Sequence, residues 1–126
     1  MHRSRLGGLI IDCRTDDLDA AATFWSRALG LPIRPSSDAA DANYALLETA
    51  PNELHIEVQK VDHPSRVHLD IEADDVEAEV RRLEGLGARR VVQVRDWWVM
   101  EAPTGHRFCV IKPTRAGFAA EANRWD

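Results

Sequence analysis

Residues 10–20 and 68–78 repeat one another. Ile10-Ile11-Asp12-Cys13-Arg14-Thr15-Asp16-Asp17-Leu18-Asp19-Ala20 lies over His68-Leu69-Asp70-Ile71-Glu72-Ala73-Asp74-Asp75-Val76-Glu77-Ala78, with identity at Asp12/Asp70, Asp16/Asp74, Asp17/Asp75 and Ala20/Ala78 and a constant offset of 58. Leu29-Gly30 then answers to Leu86-Gly87 at an offset of 57. Such self-similarity constrains architecture before any single motif is weighed, because each copy must build the same supersecondary unit. Each half runs from strand through acidic turn to helix and on to a Leu-Gly stop.

The units follow from local chemistry. Val67, Leu69 and Ile71 alternate with His68, Asp70 and Glu72, the period of a strand with one apolar and one polar face, and Leu9, Ile11 and Cys13 repeat the apolar face. An Asp-Asp pair after each strand can accept orphan backbone N–H bonds and favour the positive end of a helix, so helices are expected to begin near residues 17 and 75. Phe24, Trp25 and Leu29 in the first helix, and Val76, Val80, Leu83 and Leu86 in the second, are spaced to bury one stripe against a sheet. Gly30 and Gly87 supply left-handed stops.

Three strand candidates follow each helix: 32–35, 43–49 and 53–61 in the first half, and 89–94, 97–102 and 107–112 in the second. Residues 35–42 and Pro103-Thr104-Gly105 read as loops, and the Ala-rich tail after residue 113 as partly helical. The expected fold is α+β: two βαβββ modules, at about residues 6–61 and 65–113, forming a curved mixed sheet around a cleft within a single domain over 1–126.

Composition narrows the function classes. Sixteen basic against twenty-one acidic residues give a net charge of -5, and no basic run interleaves with aromatics, which argues against nucleic acid. Apolar runs such as Leu9 to Ile11 are too short to span a bilayer, and the N-terminus lacks a signal-peptide apolar region; no membrane partner and a cytoplasmic location are expected. Cys13 and Cys109 lack the paired spacing of a zinc knuckle, so reduced thiols are expected. Gly7-Gly8 is too short for a phosphate loop, and no serine-histidine-aspartate set can be assigned.

The doubled βαβββ pattern, the Asp-Leu/Val opening of each helix, Phe24-Trp25, the Leu-Gly stops and Ala102-Pro103-Thr104-Gly105-His106-Arg107-Phe108 before the last strand resemble the vicinal-oxygen-chelate superfamily, with its glyoxalase and bleomycin-resistance members, over about residues 6–113. The likeness is closest to a glyoxalase-like branch with Ile11-Asp12-Cys13 on the first strand, His68-Leu69-Asp70-Ile71-Glu72 on the fifth and Gly105-His106-Arg107-Phe108-Cys109 on the last. The resemblance implies the glyoxalase/bleomycin resistance/dioxygenase fold, a small-molecule ligand and a homodimer. It also implies four metal-ligand positions, which fall here on Ile10, Glu57, His68 and Cys109. Ile10 cannot bind a metal, and Cys109 is a soft replacement for a hard ligand.

Strand alternation extends the candidate site, since residues in step with Glu57 and His68 share their face: Asp12, Arg14, His55, Gln59, Asp70, Glu72, Arg107, Cys109 and Ile111. His68 is the candidate general acid or base, with Glu57 or Asp70 as its partner. His55, Glu57 and His68 could alternatively hold a divalent ion completed by water. The plainer reading pairs His55 and His68 with neighbouring carboxylates by hydrogen bonds. Trp97-Trp98 on one strand must send one ring to each face, and one of them is expected to wall the site for an aromatic ligand. Cys13 reads as a small buried hydrophobe, Trp25 as packing under the sheet, and His63 and His106 as loop residues.

The leading expectation is a glyoxalase-like protein that binds a small molecule, aromatic ones included, in a cleft with an incomplete metal set. The alternative is a divalent-metal-dependent lyase, isomerase or dioxygenase using Glu57 and His68. A third reading, an interaction module, requires a cleft filled by side chains.

Overall fold

The structure, a computed structural model, describes residues 1–36 and 42–126. Of the loop expected over 35–42, residues 37–41 lie outside the described residues. The elements in chain order are β1 (His2–Arg14), α1 (Leu18–Leu29), β2 (Ile33–Arg34), β3 (Tyr44–Leu47), β4 (His55–Val61), β5 (Arg66–Ala73), α2 (Val76–Gly85), β6 (Arg89–Val94), β7 (Trp97–Glu101), β8 (Arg107–Ile111), α3 (Phe118–Glu121) and β9 (Asn123–Trp125). Helices and mixed sheet make the class α+β. The chain divides into two compact units, one formed by Met1–Gly8 with His68–Asp126, the other by Leu9–Val67.

Both long helices start where the acidic turns place them. Asp17 accepts from the Ala20 amide, and Asp75 from the Ala78 amide, each at 3.0 Å. Gly30 closes α1 in the left-handed conformation, at φ 70°. The second stop differs: α2 ends at Gly85, Leu86 caps it at φ -89°, and Gly87 takes the positive φ one position later.

In the unit of Leu9–Val67 the strands run β2-β3-β4-β1, with β3 and β4 antiparallel in the register Ala45↔Val58 and Leu46↔Glu57. α1 packs on β2, β3 and β4. Ile10, Ala22, Leu47 and Val58 are buried. The stripe expected on α1 is corrected: Phe24 is 60% and Leu29 48% exposed. Residues 24 and 25 stand about 100° apart around a helix, so only one can face the sheet. Trp25 is half-buried, three residues on from the buried Ala22, and Phe24 sets its ring edge against Trp25 with centroids 5.1 Å apart.

In the other unit the order is β1-β5-β8-β7-β6, with β9 laid antiparallel on the first residues of β1. β5 and β8 run parallel in the register Leu69↔Phe108, Asp70↔Cys109, Ile71↔Val110 and Glu72↔Ile111. The core comprises Ala73, Val80, Leu83, Met100, Phe108 and Val110, with Ile71, Val76 and Trp98 packed against it. α2 covers β6, β7 and β8. It does not reach the start of β5, which is why Leu69 is exposed although its period marked it for burial; Val67, in the other unit, is exposed too. Leu86, in the cap, is likewise exposed.

Two buried carboxylates hold the termini of this unit. Glu72, on the face away from α2, receives Arg5 Nε at 2.5 Å and the Thr114 amide at 2.9 Å. Gly7 lies close beside it, since a Cβ there would meet Glu72 side-chain atoms at 3.2 Å and push that side chain aside. Arg5 also donates to the carbonyls of Arg115 and Ala116, drawing the tail onto β1. Glu79, on the α2 side, is fully buried between His2 and Arg82, with contacts of 2.8 Å to each. Arg82 stacks on Trp125, 3.8 Å from the ring centroid, and Trp125 Nε1 donates to Ser4 Oγ. The tail therefore carries a short helix, as expected, and also the strand β9, which its sequence did not announce.

Burial pushes the Glu79 carboxyl up, but hydrogen bonds from Arg82, His2 and Ser4 outweigh it and hold the group below its ordinary value near 4.5. Its contribution to stability is therefore complete above about pH 4.5 and is lost as pH falls through the lowered folded value. Glu79→Ala is expected to cost about 3–5 kcal/mol in urea unfolding at pH 7, because Arg82 loses its counter-charge and the His2 ring its buried hydrogen-bond partner. Below the folded pKa the variant and the parent should converge. A cost under about 1 kcal/mol at pH 7 would contradict this role.

Candidate functional site

The parallel register of β5 and β8 builds one cluster. Asp70 is paired with Cys109, and His68 lies two residues before Asp70 on the same side of the strand. Phe108 and Val110 point toward α2, so Cys109 points away from it with His68 and Asp70. One ligand-capable atom each of His68, Asp70 and Cys109 lies within 4.8 Å of the others. His68 Nε2 is 3.4 Å from Asp70 Oδ1, and both side chains are nearly buried. Cys109 is 9% exposed.

The flanks of this face follow from the β7 register. Val99 pairs with Cys109 and Trp98 with Val110, so Trp98 lies on the α2 side and Trp97 on the side of the cluster. Trp98 packs against the core and beneath Arg90, whose guanidinium is 4.9 Å from its centroid. Of the two indoles proposed for the site, Trp98 is thereby removed. Arg107 and Glu101 share the cluster's face and are joined at 3.3 Å. The Glu101 carboxyl is held below its ordinary value, chiefly by the hydrogen bond from Arg89.

The other candidates belong to the unit of Leu9–Val67 and make their own pairs. His55 Nε2 is 2.8 Å from Glu57 Oε1, both on the β4 face away from Val58 and Ile56. Gln59, next on that face, donates to Tyr44 Oη at 3.2 Å. Asp12 is buried, with Arg66 Nε 3.8 Å from its Oδ2. Arg14 is exposed, and its backbone amide donates to Ser65 Oγ. His63 and His106 bond within their turns, to the Pro64 carbonyl and Thr104 Oγ1. An open groove of about 820 Å³ along α1, lined by Asp17, Thr23, Phe24 and Arg27 among others, contains none of the candidate residues.

Glu72 was counted among the site residues by its strand period. Its partners Arg5 and Thr114 make it a structural anchor of the tail, a role that strand period cannot show because both partners are distant in sequence. The grouping of Asp70 with Cys109 needed the parallel register, which alternation within one strand does not contain.

The comparisons agree with this fold. The family profile of the glyoxalase-like domain matches residues 8–111. The chain belongs to the glyoxalase-like domain family, within the vicinal-oxygen-chelate superfamily. No curated protein matches it in sequence. Similar solved structures include methylmalonyl-CoA epimerase from Mycobacterium tuberculosis, at 19% identity and TM-score 0.64 over 91% of each chain. A hypothetical protein from Bacillus halodurans C-125 matches at 14% identity and TM-score 0.64, over 90% of this chain and 97% of that one. Streptomyces coelicolor methylmalonyl-CoA epimerase, solved with 2-nitronate-propionyl-CoA, matches at 15% identity and TM-score 0.60, over 87% and 97%. At these identities the likeness concerns the fold. Among the described residues no helix is long and apolar enough to cross a membrane.

Cys13 stays outside the cluster. Burial raises its thiol pKa above the ordinary 9.0, a hydrogen bond with Trp25 opposes this, and the Asp12 charge adds to the rise. In a Cys109→Ser variant, the remaining thiol should alkylate with iodoacetamide more slowly than free cysteine at pH 8, because less of it is thiolate. Its rate should climb to half-maximum above pH 9. A rate equal to free cysteine at pH 8 would contradict the burial of Cys13 against α1.

Proposed function

We propose that this chain binds a small organic molecule on the β5-β8-β7 face turned away from α2. The convergence of His68, Asp70 and Cys109 carries the reading, since three chemically active side chains meet where sheet packing alone would favour aliphatic ones. His68 is the polar anchor and the catalytic candidate, and Asp70 orients its ring. Trp97 offers a flat apolar wall further along the same face, suited to a planar or conjugated ligand. His55 and Glu57 form a second polar pair on β4, satisfied by each other, and with Asp12 and Arg14 are ligand-binding candidates of the Leu9–Val67 unit by itself.

A second reading, divalent-metal-dependent chemistry of the lyase, isomerase or dioxygenase kind, is favoured by the donor set. A neutral imidazole, a carboxylate and a thiolate are a fitting trio for a borderline-soft ion, which when bound would act as a Lewis acid toward substrate oxygens. In either case the chain's own contribution is the same: His68, Asp70 and Cys109 fix one end of the ligand and the β7 side chains hold its apolar part. Acyl-CoA thioesters enter the candidate ligands because methylmalonyl-CoA epimerases of this fold are solved with them. The protein is read as cytoplasmic and, by its family, as a homodimer.

The test is tryptophan fluorescence titration with a panel of aromatic carboxylates, 2-oxo acids and acyl-CoA thioesters including methylmalonyl-CoA. At least one class should quench saturably, and Trp97→Phe should remove most of the quench while changing the affinity less than about threefold. His68→Ala should weaken binding by about tenfold or more, the loss expected for a hydrogen bond to a charged group. No response from any class, or unchanged affinity in His68→Ala, would sink the reading.

A further inference from the structure

We infer that the ligand of the β5-β8-β7 face carries a carboxylate, read by the Arg107 guanidinium, and a flat apolar body that extends from it along β7 toward Trp97. The inference rests on the small-molecule reading above and adds to it the charge and the length of the ligand.

Three strand registers lay out that face. Met100 pairs with Phe108 in the core under α2, so the flanking pairs Glu101 with Arg107 and Val99 with Cys109 take the other side. One step before the pair Leu69↔Phe108, His68 stands beside Arg107. On β6, the register shift between Arg90 and Val92 sets Arg89 opposite Glu101 and Val92 opposite Val99, on one face although the two are three residues apart. Val94 follows opposite Trp97. A charged row of Arg107, Glu101 and Arg89 thus borders an apolar strip of Val99, Val92, Trp97 and Val94, and the two β6 valines of that strip are exposed.

Arg107 exceeds what the charged row needs. Glu101 already receives Arg89, from Nε at 2.7 Å and from an Nη at 2.6 Å, whereas Arg107 meets it only through Nε, at 3.3 Å. Two guanidinium groups against one carboxylate leave a surplus positive charge. Among the described residues the Arg107 side chain makes no other hydrogen bond or ion pair. Its two Nη groups, the fork that grips a carboxylate with parallel bonds, are left for a ligand. The Arg107 side chain is 32% exposed against 64% for Arg89, so solvent and salt screen a bond to Arg107 less.

Strand geometry sets the length. Glu101 and Trp97 are four residues apart on β7, roughly 13 Å at about 3.3 Å per residue. A one-ring acid held at Arg107 stops over Val99, whereas a two-ring acid reaches the Trp97 indole. Arg95, with its guanidinium 5.9 Å from the Trp97 centroid, is the rival cation at the far end of the strip.

Calorimetric titration of the full chain with biphenyl-4-carboxylate, its neutral carboxamide and benzoate reads charge and length apart. The parent should bind the biphenyl acid about tenfold or more tighter than the carboxamide, the margin of a bidentate bond between charged groups, and tighter than benzoate. Arg107→Gln should bring the acid to within about twofold of the carboxamide while the carboxamide binds as to the parent, a split that a folding defect would not give. Arg107→Lys, which keeps the charge but loses the fork, should fall between. Arg81→Ala, which removes the same charge from the exposed side of α2, should bind both probes as the parent does. Equal affinity of the parent for acid and carboxamide overturns the inference, as does an acid preference that survives Arg107→Gln or is removed by Arg95→Ala instead. Benzoate binding as tightly as the biphenyl acid overturns the assigned length. If neither biphenyl probe binds while another class of the fluorescence panel does, this inference alone fails; if no class binds, the small-molecule reading fails with it.

Discussion

The parallel pairing of β5 with β8 is the constraint on which the unit of Met1–Gly8 and His68–Asp126 depends. Because side chains alternate faces along a strand, the register Asp70↔Cys109 decides two things at once. It sends Ile71, Phe108 and Val110 under α2 into the core, and it sends His68, Asp70 and Cys109 together to the other side. A slip of one residue in either strand would bury a charge under the helix and dissolve the cluster. Core packing thus holds the chemistry in place, with no special loop needed to position it.

The same unit anchors both ends of the chain through buried carboxylates rather than through a larger apolar core. Glu72 binds Arg5 and Thr114, and Glu79 binds His2 and Arg82. Each charge is matched by donors with short contacts, the condition under which burying an ion pair is tolerable. Breaking one partner leaves an uncompensated charge, so these residues tie the position of the tail and of β9 to the integrity of β1.

Much of the fold was readable from residues alone. The repeat, the Asp-Asp helix openings and the strand periods placed the elements from α1 to β8 within a few residues, whereas β1 reaches back to His2, ahead of the module expected from about residue 6. What escaped was set by contacts distant in sequence. β9 depends on Ser4 and Arg82 meeting Trp125, and nothing in a three-residue stretch announces that. Glu79 did leave a trace, since it stands on the same helical stripe as Val76, Val80 and Leu83, where a charged residue signals a buried partner. Phe24 and Leu69 show the opposite case, apolar residues in the expected period that no helix covers. For the candidate site, His68 and Cys109 were singled out by family pattern and Asp70 by strand period, but their joining needed the register between strands.

The central claim is that one strand pair brings an imidazole, a carboxylate and a thiolate to a single point. Replacing Asp70 with cysteine in a Cys13→Ser background and mapping disulfides after mild oxidation examines that point directly. The account predicts a cross-link between position 70 and Cys109, since the two residues are paired in register on one face of neighbouring strands. Its absence, or an equal yield from Leu69→Cys, whose side chain leaves the opposite face, would contradict the account.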